Sequence, residues 1–106
     1  MAKKNGIRTD ILERNFQRGL IKDIKERFKG AFVIKLDPRL IQGVPDLLVL
    51  FGKRWAALEV KRSANAPHRP NQDYRVKIMN EMSFARFVYP ENKESVLDEM
   101  ESAFKH

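Results

Sequence analysis

The sequence predicts an α/β protein, a mixed central sheet flanked by helices in the order helix, strand, strand, strand, helix, strand, helix. Two strand-length apolar runs, Asp46–Phe51 and Trp55–Lys61, flank Gly52-Lys53-Arg54, a short connection containing Gly that reads as a β-hairpin. Apolar residues at helical spacing lie before and after that hairpin. Helical and strand patterns are interleaved along the chain, which favours a layered α/β arrangement around one core.

Residues 1–9 read as a short, mobile basic arm. The first helix is expected from Asp10 to about Lys29, stopped by Gly30. Phe16, Leu20, Ile24 and Phe28 recur at i+4, with Leu12 and Ile21 beside them. Glu13 falls inside this stripe and Gln17 next to it, and an acid on a core-facing stripe needs a reason. Asp10 and Glu13 can form a capping box, or Glu13 can reach over the sheet toward an acidic cluster. Ala31–Leu36 is a β-branched and apolar strand, broken by Asp37-Pro38-Arg39. Leu40–Pro45 is a loop; Pro45 biases Val44 toward extended backbone and so delivers Asp46 to the start of its strand. After the hairpin, residues 62–69 form a loop with a basic edge that includes Arg62, His68 and Arg69.

Pro70 suits the first turn of a helix running to about Met82, with Val76, Met79 and Ser83 on one face and Gln72 on that face at its N-terminal end. Phe84–Tyr89 reads as a fourth strand closed by Pro90. Glu91–Phe104 is an amphipathic helix with Val96, Leu97, Met100, Ala103 and Phe104 as its apolar side, and its early Glu91 and Glu94 favour a helix N-terminus. Trp55 reads as a core or interface anchor, and Tyr74 and the phenylalanines as core.

At 106 residues the chain suits one domain with one core, spanning 1–106. It contains no apolar run of about 18 residues, so no membrane helix is expected. Met1 to Gly6 lacks the apolar stretch of a signal peptide. The absence of cysteine excludes disulfides and thiolate zinc sites and makes a reducing cytoplasm the default location. The formal net charge is +7 and the pI about 9.9, which points to a polyanionic partner, most simply nucleic acid. Up to Pro90 there are 19 Lys and Arg against 9 Asp and Glu, and beyond it 2 against 5, so the basic surplus lies on the part that carries the hairpin. Ordinary solubilising charge is the alternative.

Side chains alternate along a strand, so Trp55, Ala57, Glu59 and Lys61 share one face while Ala56, Leu58 and Val60 take the other. Asp46 begins the partner strand and can approach Glu59 across the hairpin. Two acids and a lysine at the end of an apolar hairpin are costly unless something compensates for them. A divalent cation is the obvious compensation. Each residue also has a plainer reading. Asp46 can cap the turn after Pro45, Glu59 and Lys61 can be an exposed charge pair, Gln72 can simply start its helix, and His68 can be a solvated loop residue.

Pro45-Asp46 followed by Glu59-Val60-Lys61 resembles the signature of the PD-(D/E)XK nuclease superfamily, and the element order resembles that superfamily's αβββαβ core, a restriction-endonuclease-like fold with a C-terminal helix added here. The fuller pattern Gly43-Val44-Pro45-Asp46-Leu47, Glu59-Val60-Lys61 and Gln72 resembles the VRR-NUC family of virus-type replication-repair nucleases, some of them small stand-alone proteins. The motifs span Gly43 to Gln72 and the element order covers Asp10 to Tyr89.

The resemblance implies Mg²⁺ or Mn²⁺ held by Asp46, Glu59 and the backbone carbonyl of Val60, with Glu13 contributing from the first helix. It implies Lys61 as base or phosphate stabiliser, and Gln72 as a residue that positions Lys61, a water or a phosphate oxygen. Hard divalent cations favour such oxygen ligands. Lys53, Arg54, Arg62, Arg69, Arg75 and Lys77 lie near the motif in sequence and suit phosphate contacts. No base-reading helix motif is present.

The expected function is a metal-dependent endodeoxyribonuclease acting on structured DNA, with branched or four-way (Holliday) junctions leading, in replication, recombination or repair. A homodimer is implied, because symmetric cutting needs two sites related by a two-fold axis. The small format fits a phage or mobile-element origin. A less selective flap or nicking nuclease, or a catalytically silent basic DNA-binding module, are the alternatives.

Overall fold

The computed structural model describes the backbone of residues 2–105 and the side chains of residues 11–105. Its elements are α1 (Ala2–Arg27), β1 (Phe32–Lys35), β2 (Leu47–Phe51), β3 (Arg54–Val60), α2 (Gln72–Met82), β4 (Ala85–Val88), a 3-10 turn (Pro90–Asn92) and α3 (Lys93–Lys105). The expected order of elements is the observed one. The backbone of α1 starts upstream of Asp10, so Asp10 lies inside the helix and the capping-box reading of Glu13 falls. The side chains of the expected basic arm lie outside the described residues. Gly30, at φ 91°, ends the segment that follows α1 in a conformation that favours glycine.

The strands form one sheet in the order β1-β2-β3-β4. β1 pairs with β2 and β2 with β3 antiparallel, while β4 joins β3 in parallel. A parallel neighbour requires a crossover, and α2 supplies it. On one side of the sheet, α1 and α3 bury Leu20, Ile24, Phe28, Val96, Leu97 and Met100 against Leu47, Val49, Ala56, Leu58, Val60 and Val88. On the other side, Val76 and Met79 of α2 pack on Trp55, Ala57, Ala85 and Phe87. The expected alternation along β3 is therefore observed, with Ala56, Leu58 and Val60 facing one layer and Trp55 and Ala57 the other.

Three expectations about packing are corrected. Leu12 is exposed, because α1 has 26 residues and is about 39 Å long, so its first turns run past a sheet whose strands span about 17 Å. Tyr74 and Phe32 are exposed at 57% and 63%, not core. Phe32 sits on edge strand β1, beyond the reach of α2, which packs on β3 and β4; Tyr74 lies on a face of α2 turned from the sheet.

The acidity of α3 is structural. Arg27 of α1 bonds Asp98 and, at 2.8 Å, Glu101, while Arg86 of β4 bonds Glu99 at 3.0 Å. The negative charge near the C-terminus is thus paired with the body of the protein, and the basic surplus lies elsewhere. Among the described residues, no helix is long and apolar enough to cross a membrane.

Candidate active site

The hairpin register opposes Leu47 to Leu58, so the next step outward opposes Asp46 to Glu59. Directly opposed residues share a face, with Cβ atoms about 5 Å apart. Asp46 is held there at both main chain and side chain. Its carbonyl accepts from Leu36 N at 2.8 Å, which extends the β1–β2 ladder, and its Oδ2 accepts from Val60 N at 2.8 Å. The side chain thus binds across the hairpin and does not cap the turn after Pro45.

Glu59 and Lys61 are buried, at 3% and 6% exposure, which disposes of the exposed charge pair. They stand at the C-terminal end of β3, where the chain leaves the sheet for the crossover. The crossover returns through α2, whose first residue is Gln72, so Gln72 arrives beside them. Gln72 Nε2 donates to Glu59 Oε2 at 2.9 Å. Its Oε1 accepts from Lys61 Nζ at 2.7 Å and from Arg69 N at 2.8 Å. Two donors on the oxygen fix which way the amide faces. Lys61 Nζ also donates to the Pro67 carbonyl at 3.1 Å and lies 3.9 Å from Glu59 Oε2. Gln72 is therefore more than the first residue of a helix: it connects the acid, the lysine and the loop.

Glu59 Oε1 is buried and accepts no hydrogen bond from any described residue. Burial pushes the Glu59 carboxyl up to about 9, and the negative charge and hydrogen-bonding reach of Asp46 push in the same direction. Lys61 opposes this and Glu13 adds to it. The pair has one more negative charge than its surroundings stabilise, and a proton or a cation on the Glu59 side would relieve it. Mg²⁺ characteristically binds one or two carboxylates, retains waters and takes its remaining oxygens from substrate phosphate. Asp46 and Glu59, the latter with a buried carboxylate oxygen that has no hydrogen-bond partner, fit that requirement.

Glu13, half-buried on α1, lines the same cleft of about 480 Å³. Among the described residues, no three acidic or histidine side chains close into a metal-holding group, so Glu13 stands on the cleft wall and adds field rather than a third close carboxylate. Val60 is buried in β3 between the two catalytic candidates, with its amide taken by Asp46.

The basic residues divide. Arg62 and Arg69 line the cleft, and Arg75 reaches its edge by donating to the Gln42 carbonyl at 3.4 Å. Lys77 is exposed further along α2. Lys53 and Arg54 occupy the hairpin turn at the opposite end of the strands, about 20 Å from Asp46, because each strand residue advances the chain by about 3.3 Å. Neither lines the cleft, so their nearness to the motif is one of sequence and not of space. Sequence reading does not single out two further contributors, Arg39 and the Pro67 carbonyl. Arg39 lines the cleft and pairs with Asp37 at 2.8 Å. Its signal was a basic residue in the short loop leading to Asp46; the Pro67 carbonyl, a main-chain atom, has none. His68 stacks on Phe87 with centroids 4.0 Å apart and bonds Asp73 at 2.7 Å, so it is anchored rather than merely solvated.

Gly43 holds the loop against α2. At φ 83° it approaches the Asn71 backbone so closely that an added Cβ would lie 2.7 Å from the Asn71 carbonyl carbon. Asn71 itself is left-handed at φ 70° and N-caps α2, immediately before Gln72. The chain matches no protein-family model and no curated protein.

Proposed function

We propose that this chain is a divalent-metal-dependent endodeoxyribonuclease with a PD-(D/E)XK-type site of the VRR-NUC kind, on a restriction-endonuclease-like arrangement of its α/β elements. The observation that carries the reading is the buried, unpartnered Glu59 Oε1 beside Asp46, with Lys61 held two residues further along the same strand. The α/β element order and the basic cleft wall support it.

Asp46 and Glu59 would hold Mg²⁺ or Mn²⁺, with the Val60 carbonyl as the third oxygen that the resemblance implies and Glu13 supporting from α1. When bound, the cation polarises a phosphodiester oxygen and acidifies a water. Lys61 has two donor directions occupied by Gln72 and Pro67. What remains is one N–H to stabilise charge on the phosphate, or the lone pair of the neutral amine to accept the water's proton. Gln72 holds Lys61 and Glu59 in register. Water attacks phosphorus and gives up a proton to Lys61 or to bulk water, the bond to the 3′ oxygen breaks, and that oxygen takes a proton from bulk water, giving 5′-phosphate and 3′-hydroxyl ends.

Arg62, Arg69 and Arg39 supply the phosphate contacts, which select by shape rather than by base sequence. Branched DNA, four-way junctions above all, is the leading substrate. A homodimer belongs to this reading. The α2-side face over β1 and β2 carries the exposed Phe32 and the partly buried Ile34, Leu48 and Leu50, is apolar, and offers a surface for a second copy. Purified protein with Mn²⁺ should cut DNA, and Asp46→Ala should lose cleavage while keeping DNA binding, because the basic wall stays intact. Retained cleavage by Asp46→Ala overturns the assignment, and light scattering at monomer mass overturns the dimer.

A further inference from the structure

One feature of the cleft rim serves neither packing nor the chemistry above. The loop between β1 and β2 is tied down at both ends. Asp37 accepts from Arg39 N at 2.9 Å and its carbonyl accepts from Leu40 N at 3.2 Å. On the far side, Asn71 donates to Gln42 Oε1 at 3.2 Å, and Gly43 rests against the Asn71 backbone. Val44 N closes a second turn on the Ile41 carbonyl at 3.2 Å. Between these ties, the tip points into solvent, with Leu40 83% and Ile41 50% exposed. Neither side chain belongs to the core clusters, so Leu40 almost entirely and Ile41 by half leave apolar surface outside the fold. Their neighbours on both sides, Arg39 and Gln42, line the cleft.

We propose that Leu40 and Ile41 form an apolar wedge that enters a base step beside the scissile phosphate, and so set the preference for branched or interrupted DNA. This inference rests on the nuclease reading above. The chemistry is that of apolar side chains inserted between bases, which must first be partly unstacked. An intact duplex resists that unstacking, whereas a junction, flap or nick presents a step that is already open. The tethers at Asp37 and Asn71 hold the tip before DNA arrives, so little ordering remains to be done on binding. Arg39, next to Leu40 in the chain, and Arg69 both line the cleft and supply cations for the phosphates near the tip. An alternative occupant, the apolar surface of a protein partner, is an outcome of the test.

The test places 2-aminopurine at the branch-point step next to the cleavage position and uses full-length protein with Asp46→Asn to prevent turnover. Binding should raise 2-aminopurine fluorescence, and adding Leu40→Ser with Ile41→Ser should abolish that rise while anisotropy still reports a complex. In the cleaving protein, the same double substitution should lower the kcat/KM ratio of four-way junction over linear duplex by about tenfold or more, with the loss in KM. Both side chains are exposed, so folding is not at stake, and an unchanged melting temperature checks this. Cleavage with undiminished junction selectivity, or an unchanged fluorescence rise, overturns the wedge and leaves the nuclease reading standing. Such an outcome is also what a protein-docking tip would give. Absence of any cleavage and binding by the unsubstituted protein overturns both.

Discussion

Lys61 Nζ donates to Gln72 Oε1 at 2.7 Å, and Gln72 passes a hydrogen bond on to Glu59 at 2.9 Å, so one amide joins Glu59 near the end of β3 to Lys61 just beyond it. Removing it leaves Glu59 Oε2, the Arg69 N–H and part of the Lys61 ammonium without partners. Gln72→Ala should destabilise the protein by about 1–3 kcal/mol, the cost of buried polar groups left unpaired. It should lower kcat more than it raises KM, because the lysine loses its position while the basic wall stays. Denaturant melts and steady-state cleavage rates check both parts.

Glu59 carries the clearest pH signature. Its carboxyl is raised from an ordinary value near 4.5 to about 9, so between those limits the folded protein holds a proton that the unfolded chain has released. Stability without metal is therefore greatest below pH 4.5 from this group and declines as pH rises toward 9. A divalent cation bound there would displace that proton, so its affinity should increase with pH over the same window. Calorimetric titration with Mn²⁺ at pH 7 in buffers of different ionisation enthalpy should show proton release. Glu59→Gln should remove the release, abolish cation binding and raise the melting temperature of the metal-free protein.

Gly43 has no room for a side chain. Gly43→Ala drives a Cβ into the Asn71 backbone at 2.7 Å from a left-handed φ of 83°. The expected loss is about 2 kcal/mol or more. Because Asn71 precedes Gln72, cleavage should fall further than the melting temperature alone accounts for, a difference read by assaying at a temperature where the variant is fully folded.

Phosphate contacts should follow the cleft rather than the sequence neighbourhood. Arg62→Ala and Arg69→Ala should each reduce the dependence of log Kd on log salt by about one unit. Lys53→Ala with Arg54→Ala, at the far end of the hairpin, should change it less. Anisotropy titrations of a labelled junction across salt concentrations provide the comparison.

Much of the site was legible because it depends on a two-residue period. Once Asp46–Phe51 and Trp55–Lys61 are a hairpin, Glu59 and Lys61 must share a face and Asp46 must oppose Glu59. Gln72 was legible as the start of the returning helix. Local signals misled where long-range geometry decides. Asp10 and Glu13 have capping-box spacing, yet the helix runs through both. Lys53 and Arg54 are near the motif in sequence, yet the strand length carries them to the other end. Tyr74 and Phe32 have core-like side chains, yet α2 covers β3 and β4 and leaves them outside. The support that Pro67 gives Lys61 comes from a main-chain carbonyl and has no residue-type signature.

The most direct test of the central claim is cleavage of a panel of a four-way junction, a flap and a linear duplex with and without Mn²⁺, by wild type and by Lys61→Ala. Wild type should cut only with the divalent cation and most strongly on the junction, and Lys61→Ala should lose cutting while keeping DNA binding. Cutting that persists without a divalent cation, or that survives Lys61→Ala at the wild-type rate, would contradict the claim.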